Sequence, residues 1–136
     1  MTISRLALTI LVAFIGWMFG GLASHAADLT GAWASDANAC NKIFVKRNGN
    51  VAIAKDSDLY GSGFIIERNR IRGKIATCSI IARKEDGAVT NLVATCSTDI
   101  ALETIQFSLR LDDENKITRF YPGVPELAVS YFRCPL

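Results

Sequence analysis

From residue 29 to its last residue the chain repeats one unit, a short run rich in β-branched and aromatic residues followed by a turn signal. The runs fall at 29–34, 42–47, 50–55, 63–67, 70–83, 89–97, 102–111, 116–121 and 127–133. Asn48-Gly49 separates the second from the third, and both residues tolerate positive φ, which makes a two-residue hairpin. Arg68-Asn69 marks another tight turn, with Glu67 and Arg70 placed to face each other across its neck. Asp86-Gly87, the acidic stretch Asp112-Asp113-Glu114-Asn115, and Pro122-Gly123 with Pro125 punctuate the rest. Only 100–107 offers a helical rival, through Leu102, Ile105 and Gln106. Strand is preferred there, because Phe107, Leu109 and Leu111 then share one face and Gln106, Ser108 and Arg110 the other. Eight or nine such strands joined by hairpins predict an all-β fold. It is a single small antiparallel meander barrel of about eight strands, closed because closure removes unpaired edges.

Four cysteines lie in this region, Cys40, Cys78, Cys96 and Cys134. No pair has the C-x-x-C spacing of a zinc or redox site, so two disulfides are expected. Cys78 and Cys96 stand almost symmetrically about Asp86-Gly87, and a hairpin there brings them together. Cys40 is left for Cys134, which ties the N-terminal strand region to the last residues.

Residues 1–26 read as a secretory signal peptide. Arg5 supplies the positive start, 6–22 an apolar run, and Ala23-Ser24-His25-Ala26 the small residues of a cleavage site. An uncleaved anchor is the rival reading, at the short limit for spanning a bilayer. Cleavage after Ala26 leaves 110 of the 136 residues, one β-barrel domain at 27–136. The single histidine, His25, leaves with the signal, and 15 basic residues against 13 acidic become 14 against 13. That near-neutral balance points to neither nucleic acid nor a membrane surface.

Gly31-Ala32-Trp33 resembles the opening of lipocalin-like barrels, whose first strand carries Gly-x-Trp. Bacterial periplasmic inhibitor barrels are also small, and the protease-inhibitor type opens similarly. The resemblance implies that Trp33 plugs one end of the barrel. It also implies that a basic residue near the barrel's end, Arg133 or Arg119, packs over the ring through a cation–π contact.

Without a mature histidine and with its thiols oxidised, the chain lacks the groups for Ser-His-Asp or Cys-His catalysis. Its carboxylates sit mostly in turns, so an enzyme is not expected. Asp56, Asp58, Gly61 and Glu67 fall at calcium-loop positions, but Tyr60 and Gly63 break the pattern and the flanks read as strands. No metal or cofactor is expected. The densest charge is Arg68, Arg70, Arg72 and Lys74. On one strand Arg70, Arg72 and Lys74 align on the wet face while Ile71, Gly73 and Ile75 turn to the core. That row is either a solvated face or a binding patch for an anionic ligand or an acidic protein surface. Aromatic residues do not interleave with it, which argues against nucleic acid.

Three functions follow as expectations. The first is a periplasmic or extracellular protein-binding or inhibitory module, presenting 56–63 or 123–126. The second is a lipocalin-like carrier with an apolar lumen, and the third an envelope structural or stress protein. A lumen filled by Phe64, Phe107, Ile71 and Ile75 would remove the carrier.

Overall fold

The computed structural model describes residues 25–136, so the expected signal peptide lies, but for its last two residues, outside the described residues. In chain order come β1 (Gly31–Ala34), a 3₁₀ turn (Ala37–Ala39), the short helix α1 (Cys40–Ile43), β2 (Phe44–Arg47) and β3 (Asn50–Ile53). A second 3₁₀ turn (Ser57–Leu59) leads to β4 (Gly63–Ile66), β5 (Arg70–Arg72), β6 (Thr77–Asp86) and β7 (Val89–Ser97). The chain ends with β8 (Leu102–Asp113), β9 (Lys116–Tyr121) and β10 (Val124–Cys134).

Eight of these strands close a barrel in the order β1-β10-β9-β8-β7-β6-β5-β4, with β4 returning to β1. Every pairing is antiparallel, and β4 to β10 run as an uninterrupted meander. Strict alternation builds it. Along β7, Thr90, Leu92, Ala94 and Cys96 are buried while the residues between them are half-exposed. Across from β7, Phe107, Leu109 and Leu111 of β8 turn to the same interior. The 102–107 stretch is strand, as preferred from its pattern.

Between β1 and β4 the chain leaves the barrel, and this excursion differs from the expected meander. The run 42–47 splits into α1 and β2, and the β2–β3 hairpin forms its own two-stranded sheet outside the ring. Asp36 starts the excursion by accepting a hydrogen bond from the Asn38 backbone N–H at 2.9 Å, a local turn that competes with strand. The excursion then covers the outside of β1 and β4. Ile43 and Phe44 pack on Ala32, Ala34 and Ile65, while Trp33 and Ile66 on the same two strands point inward. Burying each large apolar side chain contributes roughly 2 kcal/mol, which offsets the ordering of the added segment.

Both disulfides join the expected partners. Cys78 and Cys96 are directly opposed in the β6–β7 ladder, inside the barrel core. Cys40–Cys134 crosses from α1 to the end of β10 within the outer core, with Cα atoms 5.5 Å apart. The run 70–83 is broken, because the chain turns away at Gly73 and re-enters the sheet at Thr77. Lys74 therefore leaves the strand, and Ile75, expected in the core, is 79% exposed. Pro125 lies within β10, where a register shift between Val124 and Ala128 spares the ladder a missing donor.

Candidate ligand site at the open mouth

The two ends of the barrel are built differently. At the end where β1 starts, Trp33 is fully buried and its indole N–H donates to the Leu29 carbonyl at 2.9 Å. Arg133 lies across from Trp33 in the β1–β10 ladder, with its guanidinium carbon 4.3 Å from the ring centroid. Its Nε donates to the Glu114 carbonyl at 2.6 Å and its Nη2 to the Asp28 carbonyl at 3.3 Å, and Nη1 reaches the Thr30 carbonyl. Gly31 makes room for this stack. Its φ is +136°, and a Cβ there would stand 2.7 Å from the Arg133 Nη1 atom. Of the two cations the sequence offered for this place, Arg133 takes it and Arg119 does not.

Arg119 occupies the opposite half of the lumen. Its register partner on β8 is Leu109, so the alternation Ile117, Arg119, Tyr121 of β9 puts a cation on the inward face. The guanidinium sits between two rings, 4.7 Å from the Phe107 centroid and 4.6 Å from that of Tyr121. Its Nε is buried without a hydrogen-bond partner among the described residues. Burial pushes the Tyr121 phenol up from its ordinary value, Arg119 pulls it down, and the neighbouring Tyr131 adds to the rise.

A cavity of about 250 Å³ opens here between the ends of β4, β5, β6, β8, β9 and β10. Phe64, Ile71, Ile105, Phe107 and Tyr131 form its apolar walls, and Arg119 is the single charged residue lining it. Phe64 and Tyr131 meet edge to face, centroids 4.8 Å apart, which fixes that wall. Phe64, Phe107 and Ile71 thus frame the space and leave it open. Ile75, the fourth residue expected to fill it, is outside.

A larger hollow of about 380 Å³ lies at the Trp33 end, lined by the N-terminal residues Ala26 to Thr30 together with Arg83 and Leu92. Arg83 is already committed there, donating to the Ala27 carbonyl at 2.7 Å and to Glu85 at 2.6 Å. A hydrogen bond from Thr30 holds the Asp28 carboxyl below its ordinary value. This hollow is larger but more polar, with Asp28, Glu67, Arg68, Asn69 and Arg83 among its lining residues.

The basic row singled out in the sequence is divided. Arg68 is exposed in the β4–β5 turn, at the Trp33 end. Arg70 meets Glu67 at 2.7 Å across the neck of that turn. Arg72 meets Glu67 at 2.8 Å and donates to the Val51 carbonyl at 2.9 Å, tying the outer hairpin to the barrel. Lys74 is paired with Asp58. Hydrogen bonds from Arg70 and then Arg72 hold the Glu67 carboxyl below its ordinary value, and Lys74 does the same for Asp58. In the calcium-loop spacing, β4 carries Glu67 to the far end of the barrel from Asp58. Among the described residues no three His, Cys, Asp or Glu side chains gather as a metal site would need.

The loops 56–63 and 123–126 both lie at the mouth end, as do the exposed side chains Leu59, Ile75, Ile100, Leu102, Val124 and Leu127. Ile100 is 96% exposed. The pattern Lys116-Ile117-Thr118-Arg119-Phe120-Tyr121 carried the signal for Arg119, a cation at the apolar phase of an alternating strand. Comparison with protein-family models, with curated proteins and with solved structures finds no match to this chain.

Proposed function

We propose that this protein is an exported binding barrel of the lipocalin-like type, which holds a small, largely apolar molecule in its open mouth and catalyses no reaction. The observation that carries this reading is the asymmetry of the lumen. At one end Trp33 lies buried under Arg133 beside a hollow with several charged lining residues, and the other end opens on an apolar cavity in which Arg119 is the one charged lining residue. Concave sites of this kind, apolar with a few placed polar groups, are where proteins hold small ligands. The two disulfides fit an oxidising compartment, the periplasm or the medium. The Gly31-x-Trp33 opening, with its cation over the ring, supports the lipocalin-like assignment.

Titrating the oxidised protein with an environment-sensitive apolar naphthalene dye tests the reading. One saturable site, lost when Ile105→Trp fills the mouth while the melting transition survives, is the expected result. A dye response that is unsaturable, or indifferent to Ile105→Trp, contradicts it.

A second reading, a protein-binding or inhibitory module, is favoured by the apolar rim. Scattered apolar residues are ordinary on a surface, whereas these gather on successive loops at one end. Replacing Ile100 and Leu102 by serine separates the two. Dye binding that persists supports the carrier, and capture of a protein partner that is lost supports the module.

A further inference from the structure

We infer that Arg119 is the anchor for an anionic headgroup, and that the mouth pocket takes a small apolar carboxylic acid. This rests on the reading of the mouth as a ligand site and names the chemistry of its occupant.

Arg119 is half-buried, and taking part of a charge out of water costs free energy unless the charge is paired or otherwise compensated. Among the described residues Arg119 has neither an ion pair nor a hydrogen bond, and its Nε is wholly enclosed. Two aromatic rings, Phe107 and Tyr121, flank it at 4.7 and 4.6 Å, and such rings attract a cation through their faces. That attraction compensates part of the desolvation and uses none of the five N–H donors. Every other half-buried arginine of the barrel spends donors: Arg72 on Glu67 and Val51, Arg110 on Asp112, and Arg133 on three carbonyls; exposed Arg83 does the same with Glu85 and Ala27. Arg119 alone is held by rings with its fork unspent.

The walls then select the class of anion. No acidic residue lines the cavity, and its other members are apolar, aromatic or small: Phe64, Ile71, Ala76, Ile105 and Tyr131 among them. One cation matches one negative charge. A doubly charged phosphate would leave charge unpaired against apolar walls. A carboxylate presents two oxygens in the planar spacing that a guanidinium recognises. At about 250 Å³ the space is below the usual range for drug-sized ligands, so the acid is a single aromatic ring or a short alkyl chain.

The test uses matched probes, octanoate and 1-octanol, titrated calorimetrically at neutral pH into the oxidised protein and its Arg119→Gln and Arg119→Lys variants. The expected result is octanoate bound roughly 10- to 100-fold more tightly than octanol, as a charge-assisted hydrogen bond gives. Arg119→Gln should abolish that preference without weakening octanol, and Arg119→Lys should keep part of it. Alkaline titration gives an independent readout in the unaltered protein. Octanoate beside Arg119 removes the positive field that Tyr121 feels, so its phenol titrates higher with octanoate bound than with octanol. Equal affinity for the two probes overturns the anchor and leaves the apolar ligand site standing. Saturable binding of neither probe overturns both.

Discussion

The Arg133 guanidinium stacks 4.3 Å above the Trp33 ring and, through the carbonyls of Asp28, Thr30 and Glu114, ties the entry to β1 and the β8–β9 turn to the end of β10. One side chain thus closes the barrel end and clamps three separate stretches of chain. Arg133→Gln removes the cation and breaks these bonds. Its expected cost is about 2–4 kcal/mol, from a desolvated cation–π contact and charged hydrogen bonds. Urea denaturation measures it, and a red shift of Trp33 emission reports that water has reached the ring.

Gly31 serves the same device from below. At φ +136°, alanine at this position takes a backbone conformation that L-residues rarely adopt, and its Cβ presses on Arg133. Gly31→Ala is expected to cost about 1–3 kcal/mol. Combined with Arg133→Gln, the loss should be less than additive, because the clash disappears with the guanidinium.

The two disulfides differ in what they constrain. Cys40–Cys134 spans a sequence separation of 94 and holds the outer excursion on the barrel, whereas Cys78–Cys96 spans 18 within one hairpin. Loop-closure entropy assigns them about 4.7 and about 3.2 kcal/mol. Cys40→Ala with Cys134→Ala should therefore lower stability more in loop entropy, and hydrogen exchange should rise first in β2 and β3.

Acid should loosen the outer surface by a definite route. Asp112 is held below its ordinary value by hydrogen bonds from Thr118 and then Arg110, and Glu67 by those from Arg70 and then Arg72. A carboxyl with a depressed folded pKa stabilises fully above its unfolded value. That contribution is lost as pH falls through the folded one. Melting temperature should be flat from neutral pH to about 5 and decline below about 4. Asp112→Asn should shallow the decline.

Much of this architecture was legible because period-two patterning and turn residues are local signals. Phe107, Leu109 and Leu111 share the inner face, Asn48-Gly49 makes its hairpin, and the Gly87 turn brings Cys78 within one register step of Cys96, the last step being made by a bulge between Ile80 and Ala82. The excursion was not legible. Ala32, Ala34 and Ile65 are apolar at the phase an open barrel would wet, but a covering layer supplied by distant residues such as Phe44 leaves no local trace. Ile75 misled because alternation was carried past Gly73, where the strand had already stopped. In the sequence Arg119 reads only as a candidate cap for Trp33. Its place in the mouth depends on the β8–β9 register, which pairs it with buried Leu109.

On the proposed function, the mouth end holds the ligand and the Trp33 end does not. Amide and methyl NMR spectra recorded during octanoate titration test it directly. The expected shifts cluster at Phe64, Ile71, Ile105, Phe107, Arg119 and Tyr131. Shifts clustered instead around Leu29, Arg83 and Leu92, or no saturable shifts at all, would contradict it.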